Sequence, residues 1–494
     1  MKVDWKYEDV SEFIGLKKEN PFEGQVKNID EKNILTEYDS FRLFFTDEII
    51  ENIRNESIFY YESKLKREKG ILWNKKEYSK NSLPWLYFKY GISSDDILLF
   101  IGIRIYMGII KFPTIDSYWN TLPIYTNFLP NIISKNRYKL LASALHIPDD
   151  DNENNNDEED NSQNDPRHKI IWLLDNMKVL FQKYYILSDK ITVDETMIPS
   201  KSRQIMKQYM PMKPIKWGFK LHCLTDAPNN YLYDYIFNPG KNYNKLIIFN
   251  EDYSYTESII LKLVEKLNDK SRHLYLDGWY ASISLSKKLF DLGILEKTVY
   301  KHNSKNLPLE IINGNKDQAY CSKIIINVFS DKKEIYFGTN YQDTLENIKN
   351  DYNIFNRGVD VLNQNIAQYS TYRKEYRWWK KIFLFIIDSC VNNAKVIFEL
   401  LKDGKDIKGL DFRNRLICYI FENYNSNKFY LDDGGLFIPK FIRDKLHHME
   451  TIKGQCKKCA LCSYKTNTNC IECDKPIHPD CFTKYHQNKI YNLK

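Results

Sequence analysis

The chain has 494 residues, of which 43% are hydrophobic and 15% aromatic, so it can bury several cores and is not a disordered protein. Its formal net charge is +7 although eight acids and no Lys or Arg lie between Asp149 and Asp160, and the basic remainder is compatible with a polyanionic partner. We expect neither export nor membrane insertion, because the N-terminus has no apolar signal segment and the longest apolar run, from Ile97 to Ile110, is short and contains Arg104.

The first part of the chain is predicted to be helical after an irregular start. Residues 1–94 contain no motif and are predicted to be irregular. Residues 95–185 contain three segments with apolar residues at helical spacing, which begin at Asp95, Lys135 and His168. Between the last two of these segments, the acidic, Asn-rich tract 149–165 is predicted to be a solvated loop.

Residues 186–401 are predicted to form a mixed α/β domain. Short β-rich runs alternate with helical segments in the order strand, strand, strand, helix, strand, helix, which is typical of mixed α/β folds. The runs predicted as strands are Lys190 to Asp194, Lys216 to Thr225, Tyr231 to Phe237, His273 to Asp277 and Thr298 to His302. The less regular residues 305–344 are interpreted as an insertion, and residues 402–451 as a connecting region.

Three aspartates stand at informative places in this domain. Asp194 and Asp277 each end a predicted strand, and Asp360 lies on a predicted helix. Adjacent parallel strands would bring the first two together, and a helix packed on the sheet could supply the third. Such a carboxylate cluster needs cations, and two magnesium ions would suit its oxygen ligands. An Asp at a strand end is also a common turn or helix-cap residue, so spacing alone leaves the question open.

The blocks that contain these acids resemble piggyBac-type transposases. The three blocks are VDETMIPSKSR (193–203), LDGWYASISLSKKL (276–289) and YNIFNRGVDVLNQ (352–364). Further blocks are MGIIKFPTIDSYWN (107–120) upstream and YRKEYRWWKKIFLFIIDSCVNNA (372–394) downstream. The resemblance runs in order from about residue 95 to about residue 400, and it resumes in the cysteine-rich tail.

The resemblance implies an RNase H-like catalytic core and cut-and-paste DNA transposition. Asp194, Asp277 and Asp360 fall on the family's catalytic acids, which implies a site for two Mg²⁺ ions. The implied reaction is hydrolysis at the element end, attack by the freed 3′-hydroxyl through a hairpin intermediate, and joining at a TTAA-like target. The resemblance further implies a double-stranded DNA partner, a homodimer, and a dimerisation or DNA-binding role for residues 95–185. The clustered cysteines indicate a reducing compartment, the cytosol or the nucleus, and we predict the nucleus.

Two departures from the family pattern keep a second interpretation open. Asn363 stands one helical turn after Asp360, where the family commonly has a fourth acid, and its carbonyl could bind metal without adding charge. Gly278 stands where the family usually has Asn after the second acid. The alternative is a domesticated, transposase-derived protein that binds DNA or chromatin without catalysis. A generic RNase H-like nuclease is disfavoured by the matching blocks outside the core.

Two segments combine cations with aromatic residues and are predicted to contact DNA. One surrounds Trp217 and the other surrounds Trp378 and Trp379. Their cations could neutralise phosphates, while the rings could stack on bases or pack into the core. The predicted DNA-binding cations are Lys213, Lys216, Lys220, Arg373, Lys374, Arg377, Lys380 and Lys381.

The C-terminal residues 452–487 are predicted to form a small domain stabilised by two structural zinc ions. Paired cysteines at CxxC spacing grip one ion across a tight turn, and eight N or S donors suit two tetrahedral sites. The candidate ligands are Cys456, Cys459, Cys462, Cys470, Cys473, His478, Cys481 and His486. The sequence does not fix their pairing, and the resemblance implies an interleaved one in which Cys456 is the least secure ligand. The expected role is recognition of terminal DNA repeats or of protein.

Overall fold

The structure, a computed structural model, describes most of the chain. The described residues are 3–7, 13, 15–18, 20–69, 78–149, 165–248, 252–267, 272–330, 334–402, 406–426, 449–451, 456–460, 462–470, 475–479 and 481. Contacts divide the chain into two units, which we call the core unit (Met1–Ile49 and Ile147–Arg413) and the helical unit (Ile50–His146 and Asn414–Lys494). Most of the predicted acidic loop, together with Cys473 and His486, lies outside the described residues.

The α-helices of the described residues occur throughout the chain. In order, they are α1 (Glu37–Arg42), α2 (Asp47–Lys69), α3 (Leu83–Tyr90), α4 (Ser94–Ile109), α5 (Lys135–Ala144), α6 (His168–Tyr184), α7 (Tyr255–Val264), α8 (Ile283–Asp291), α9 (Leu309–Ile312), α10 (Leu345–Phe355), α11 (Gly358–Gln368), α12 (Trp378–Leu401) and α13 (Gly409–Ser426). No helix of the described residues is both long enough and apolar enough to cross a membrane.

The β-strands form one large sheet and several small ribbons. They are β1 (Gln25–Val26), β2 (Tyr185–Ile186), β3 (Lys190–Pro199), β4 (Lys207–Tyr209), β5 (Trp217–Asp226), β6 (Leu232–Phe237), β7 (His273–Leu276), β8 (Leu295–Tyr300), β9 (Gln318–Cys321), β10 (Ile324–Ser330), β11 (Glu334–Thr339), β12 (Met449–Thr451), β13 (Lys457–Lys458), β14 (Lys465–Thr466), β15 (Thr468–Cys470) and β16 (Lys475–Pro476).

The large sheet of the core unit confirms the mixed, RNase H-like α/β fold. Its strand order is β4-β5-β3-β7-β8-β11-β10-β9, with β6 also paired to β5. β3, β5 and β6 pair antiparallel, whereas β7 and β8 run parallel to β3. In the central strand β3 the consecutive residues Ile191, Thr192 and Val193 are all buried, as expected for a strand covered on both faces.

Residues 305–344, interpreted as an insertion, add strands to this sheet. β9, β10 and β11 pair antiparallel with one another, and β11 pairs with β8. The segment therefore continues the sheet beyond the parallel strands. Near the N-terminus, Lys6 pairs with Tyr320 along the outer strand β9, so the segment around Lys6 covers part of that sheet edge.

The prediction that residues 1–94 are irregular was wrong for three helices. α1, α2 and α3 all lie in this region. In α2, the residues Ile50, Ile53, Tyr61 and Leu65 are buried. Their spacing follows the helical repeat, so they lie on one face of the helix. The pattern was obscured because charged residues fill the positions between them, which makes the helix polar on average.

The helical unit contains the segments predicted around α4 and α5. The predicted helix start is confirmed, because Ser93 and Asp96 form a capping box at the N-terminus of α4. Asp96 also binds Arg137 of α5 at 2.7 Å, and both side chains are buried. Leaving either charge unpaired would be costly, so this ion pair fixes α4 against α5.

Candidate active site and metal-binding tail

Asp194 and Asp277 lie side by side because their strands are parallel and in register. β3 and β7 pair from Lys190 opposite His273 to Val193 opposite Leu276, and the two aspartates follow at the next position. Adjacent strands lie about 4.8 Å apart, and residues at matching positions point to the same face. The structure thus brings together the first two predicted acids.

Asp194 does not end its strand, contrary to the prediction. β7 ends at Leu276, but β3 continues to Pro199 because its antiparallel partner β5 pairs with it as far as Gly218. The aspartate therefore stands where the parallel pairing with β7 stops, while the antiparallel pairing with β5 continues. The local sequence could not reveal this, because the extension depends on a partner strand distant in the chain.

Asp360 is brought to the same face of the sheet by a close helix–sheet contact at Gly358. A Cβ atom at Gly358 would lie 2.8 Å from the Thr225 Oγ1 atom and 3.3 Å from the Thr192 Cβ atom. Thr192 precedes Asp194 by two residues, so the two side chains share one face of β3. The first turn of α11 therefore rests beside Asp194 and carries Asp360.

Two hydrogen bonds tie the α10–α11 connection to the strands that carry the other acids. The Tyr352 hydroxyl donates to the Leu276 carbonyl at 3.1 Å, immediately before Asp277. The Thr192 hydroxyl donates to the carbonyl of Phe355 at the end of α10. These bonds connect the helix pair to β7 and β3 at the positions of the acids.

Lys213 is a cation within reach of the charges of all three aspartates. Its Nζ atom lies 3.7 Å from Asp194 Oδ2, and its side chain is mostly covered. Burial tends to lower the pKa of Lys213, but the charges of Asp194 and Glu195, joined by those of the other two aspartates, hold it above its usual value. One ammonium group thus experiences the whole carboxylate cluster.

Glu195 belongs to the same cluster, and the sequence argument missed it. Burial, followed by the hydrogen bond and charge of Glu195, raises the pKa of Asp194 to about 8. Burial opposes ionisation of Glu195 as well, but the hydrogen bond with Asp194 and the nearby Lys220 hold its pKa below the usual value. The available signal was a second acid directly after Asp194.

A buried polar and aromatic group surrounds Glu195. The Lys220 Nζ atom lies 3.8 Å from Glu195 Oε1 and 3.9 Å from the centre of the Trp279 ring. The Tyr280 hydroxyl lies 2.7 Å from His222 Nδ1 and donates to Glu195 Oε2 at 3.4 Å. Burial, followed by the charge of Lys220, lowers the pKa of His222 to about 3, so the histidine is neutral.

The two departures from the family pattern have distinct surroundings. Asn363 is partly buried on α11, one turn after Asp360. A Cβ atom at Gly278 would lie 2.9 Å from the Val299 carbonyl oxygen, so a larger residue would require the strand to shift. The backbone N–H of Tyr280 donates to the Asp277 carbonyl at 2.9 Å, which closes the turn around the glycine.

The donor set of the acidic cluster fits a hard divalent cation. Asp194, Asp277 and Asp360 supply carboxylate oxygens, which Mg²⁺ prefers. Asp277 and Asp360 are exposed, so their oxygens can reach an incoming ion or phosphate. Lys213 and Lys220 balance only part of the negative charge, so the cluster retains an attraction for cations.

Two of the predicted DNA-binding cations are buried. Lys220 is 5% exposed beside Glu195, and Lys380 is 8% exposed on α12, so neither can lie against a phosphate in this conformation. Lys216 and Lys374 are exposed, and the remaining predicted cations are partly covered. The prediction was wrong for the two buried lysines because helix and strand periodicity turned them inward.

The C-terminal tail contains a four-ligand cluster suited to zinc. The side-chain donor atoms of Cys459, Cys462, His478 and Cys481 all lie within 4.8 Å of one another. Sulfur atoms on a tetrahedral zinc are about 3.8 Å apart for Zn–S bonds of about 2.3 Å, so little adjustment is needed. The cluster combines Cys459 and Cys462 with His478 and Cys481, and further cysteines lie between these two pairs in the sequence. This arrangement matches the interleaved pairing expected from the resemblance.

The surroundings of His478 orient it as a ligand. Its Nδ1 atom lies 3.1 Å from Cys462 Sγ, while its Nε2 atom lies 2.9 Å from the Lys465 carbonyl oxygen. An N–H bond to that carbonyl leaves Nδ1 as the free acceptor for metal. Cys456 is exposed and does not belong to this cluster. The proposed second zinc site depends on residues whose side chains lie outside the described part of the chain.

The family model described as Transposase IS4 matches residues 36–395 of the chain. The match covers most of the sequence, including all three aspartates and the strands and helices that position them. The chain belongs to this transposase family. The predicted membership of a transposase family is thereby confirmed.

Similar proteins include two human relatives and one solved structure. The chain is 24% identical to the human PiggyBac transposable element-derived protein 3 over 440 residues, covering 80% of this chain and 70% of the relative. It is 23% identical to the human PiggyBac transposable element-derived protein 2 over 483 residues, covering 90% and 75%. The cryo-EM structure of a piggyBac transposase synaptic complex with hairpin DNA matches at a TM-score of 0.70 and 18% identity, covering 93% of this chain and 98% of that one.

Proposed function

We propose that the chain is a DNA transposase that cleaves a DNA strand and transfers the freed end, using Asp194, Asp277 and Asp360. The observation that carries the proposal is the placement of Asp194 and Asp277 at matching positions of β3 and β7, with the first turn of α11, which carries Asp360, packed beside them. Membership of a transposase family and the likeness to a transposase complex with hairpin DNA support DNA as the substrate. Joining at TTAA-like targets is proposed from the family resemblance.

The side chains of the site have separable roles in this proposal. The three aspartates, with the Asn363 carbonyl beside Asp360, would hold two magnesium ions. When bound, these ions supply charge stabilisation for the attacking and leaving oxygens of the phosphodiester. Lys213 is placed to bind a non-bridging phosphate oxygen and to orient the phosphate over the acids. Glu195 and Lys220 support the site by fixing the charge and position of Asp194.

Strand cleavage by the purified full-length chain tests the proposal. The substrate would be a duplex that carries the terminal repeats flanking the gene, and magnesium would be added or omitted. We expect magnesium-dependent nicking by the natural chain and at least a thousand-fold loss in Asp277→Asn, the order of magnitude typical when a catalytic group is removed. DNA binding by Asp277→Asn should persist, because an exposed carboxylate repels phosphate.

A domesticated DNA- or chromatin-binding protein without catalysis is the second candidate. Asn363 favours it, since this position adds no charge to the metal site, and both human relatives are named as derived from transposable elements. Tight DNA binding without any magnesium-dependent nicking, in a protein shown to be folded, would support this candidate and contradict the first.

The partner and location predictions remain proposals. We propose that the chain works as a homodimer in the nucleus on double-stranded DNA, and that its zinc-stabilised tail recognises terminal repeats. Light scattering of the protein with and without DNA measures the first point. Microscopy of the tagged chain measures the second, and binding of repeat DNA by a Cys462→Ser variant measures the third.

A further inference from the structure

The hairpin formed by β4 and β5 carries an unusual surface next to the acidic cluster. From Ser200 to Cys223 the sequence contains six Lys or Arg residues and no acid. The same stretch holds four large apolar side chains that are at least half exposed: Ile205 (53%), Tyr209 (52%), Met212 (94%) and Trp217 (50%). Exposed apolar groups concentrated among cations indicate a binding surface.

Tyr209 and Trp217 form an aromatic pair across this hairpin. They are directly opposed residues of β4 and β5, and their ring centroids lie 4.5 Å apart. The Lys207 Nζ atom lies 5.0 Å from the centre of the Trp217 ring. Each ring keeps about half of its surface open, so the pair offers an aromatic platform with a cation beside it.

The same hairpin reaches into the candidate active site. The backbone N–H of Met210 donates to the Lys216 carbonyl at 2.8 Å and closes the tip, which places Lys213 at 3.7 Å from Asp194. Trp217 is four positions after Lys213, so their Cα atoms are at most about 14 Å apart. A strand whose phosphate lies at Lys213 could therefore place a nearby base on the aromatic pair.

We propose that Tyr209 and Trp217 form a stacking site for an unpaired DNA base next to the phosphate bound at the aspartates. This inference rests on the proposed DNA-cleaving function and names the form of DNA that the site prefers. Aromatic platforms within positive grooves bind single-stranded nucleic acid, because every base has a π-face while paired bases are hidden in the stack. The absence of acids from Ser200 to Cys223 favours a polyanion over a protein partner.

Binding of two DNA probes to the full-length chain tests the stacking site. Both probes have the same length and sequence on one strand, but one is fully paired and the other has a short central mismatch, and magnesium is omitted to prevent cleavage. Trp217→Leu and Tyr209→Leu should weaken binding of the mismatched probe by roughly ten-fold or more, the range measured for base–aromatic stacking, and leave duplex binding nearly unchanged. Trp217→Phe should retain most of the preference.

A second readout and a control make the result decisive. A 2-aminopurine base at the mismatch should lose emission on binding the natural chain and not on binding Trp217→Leu. Phe59→Leu removes another exposed aromatic ring, on α2, and should leave both probes unaffected. The stacking site would be overturned if the leucine variants weakened binding of the two probes equally or left it unchanged. It would also be overturned if Trp217→Leu converted a dimer to a monomer. If the natural chain binds neither probe, the proposed function itself fails.

Discussion

At the scale of single residues, burial decides the charge state of the carboxylates in the core unit. Asp194 and Glu195 are neighbours on β3, yet burial and their mutual hydrogen bond separate their pKa values in opposite directions. A paired site of this kind stores one proton at neutral pH, and a bound cation would displace it. Asp277 and Asp360, which are exposed, are the members of the cluster most accessible to DNA.

Glu296 on β8 should make the protein's stability depend on pH. It is fully buried, neither carboxyl oxygen has a hydrogen-bond partner among the described residues, and burial raises its pKa to about 8 against an opposing influence of Ser286. The native state therefore keeps a proton that the unfolded chain releases above the ordinary glutamate pKa of 4.5. The free energy of unfolding is therefore unaffected by the ionisation of Glu296 below pH 4.5. It falls as the pH rises from 4.5 to about 8, and it no longer changes above about 8.

Replacing Glu296 by Gln should remove this dependence. The expected gain of Glu296→Gln over the natural chain grows between pH 5 and pH 8 by at most about 1.4 kcal/mol per pH unit. Urea unfolding at several pH values measures it, with the exposed Glu346→Gln as the matched control. A gain that is constant across this pH range would show that Glu296 is ionised in the native state.

At the scale of elements, two local devices position the functional groups. The close approach of α11 to β3 and β5 at Gly358 sets the position of Asp360. In the tail, Ser463 adopts a φ of +63° and its N–H donates to the Cys459 carbonyl at 3.0 Å, which bends the chain so that Cys459 and Cys462 face one point. Each device places a ligand through backbone geometry.

Gly358→Ala should displace α11 and reduce cleavage. The added methyl group would meet Thr225 Oγ1 at 2.8 Å and the Ala227 Cα atom at 3.2 Å, and relief requires the helix to move outward. We expect a loss of about 1–3 kcal/mol in unfolding free energy, typical of overpacking, together with reduced nicking at saturating magnesium. Gly314→Ala lies at a turn far along the chain, and nicking by that variant should be unchanged. Normal nicking by Gly358→Ala would show that cleavage does not depend on the position of α11.

Zinc should stabilise the tail without being needed by the core unit. Chelation should abolish the folded signals of the tail, because its small ribbons bury too little apolar area to fold alone, while the main cooperative melt remains. Cys462→Ser should lose one zinc per chain by metal analysis, and the exposed Cys456→Ser should retain that zinc. Loss of the same zinc from Cys456→Ser would contradict the ligand set Cys459, Cys462, His478 and Cys481.

At the scale of the whole molecule, the excess positive charge is unevenly distributed along the chain. The formal net charge of +7 is the balance between basic segments, such as the β4–β5 hairpin, and acidic tracts such as 149–165. Long-range attraction to DNA depends on which cations reach solvent, because only cations that displace condensed counterions from the phosphates strengthen binding. Burial therefore divides the predicted DNA-binding cations into two groups.

The salt dependence of DNA binding should distinguish exposed from buried lysines. The double variant Lys216→Ala with Lys374→Ala should lower the slope of log K against log salt by about 0.9 for each phosphate that the variant no longer neutralises. Lys380→Ala removes one positive charge from a buried position, and we expect an unchanged slope with reduced thermal stability. A slope altered equally by Lys380→Ala would mean that α12 exposes this lysine to DNA.

The sequence by itself determined the family and the alternation of strands and helices in the core, and it predicted the three aspartates and the four tail residues that cluster. These follow from local periodicity and from blocks read directly along the chain. Only the tertiary structure decided that β3 extends beyond Asp194, that Glu195 joins the cluster, and that Lys220 and Lys380 are buried. The reason is physical: strand extension and burial depend on partners far away in sequence, so no local pattern encodes them.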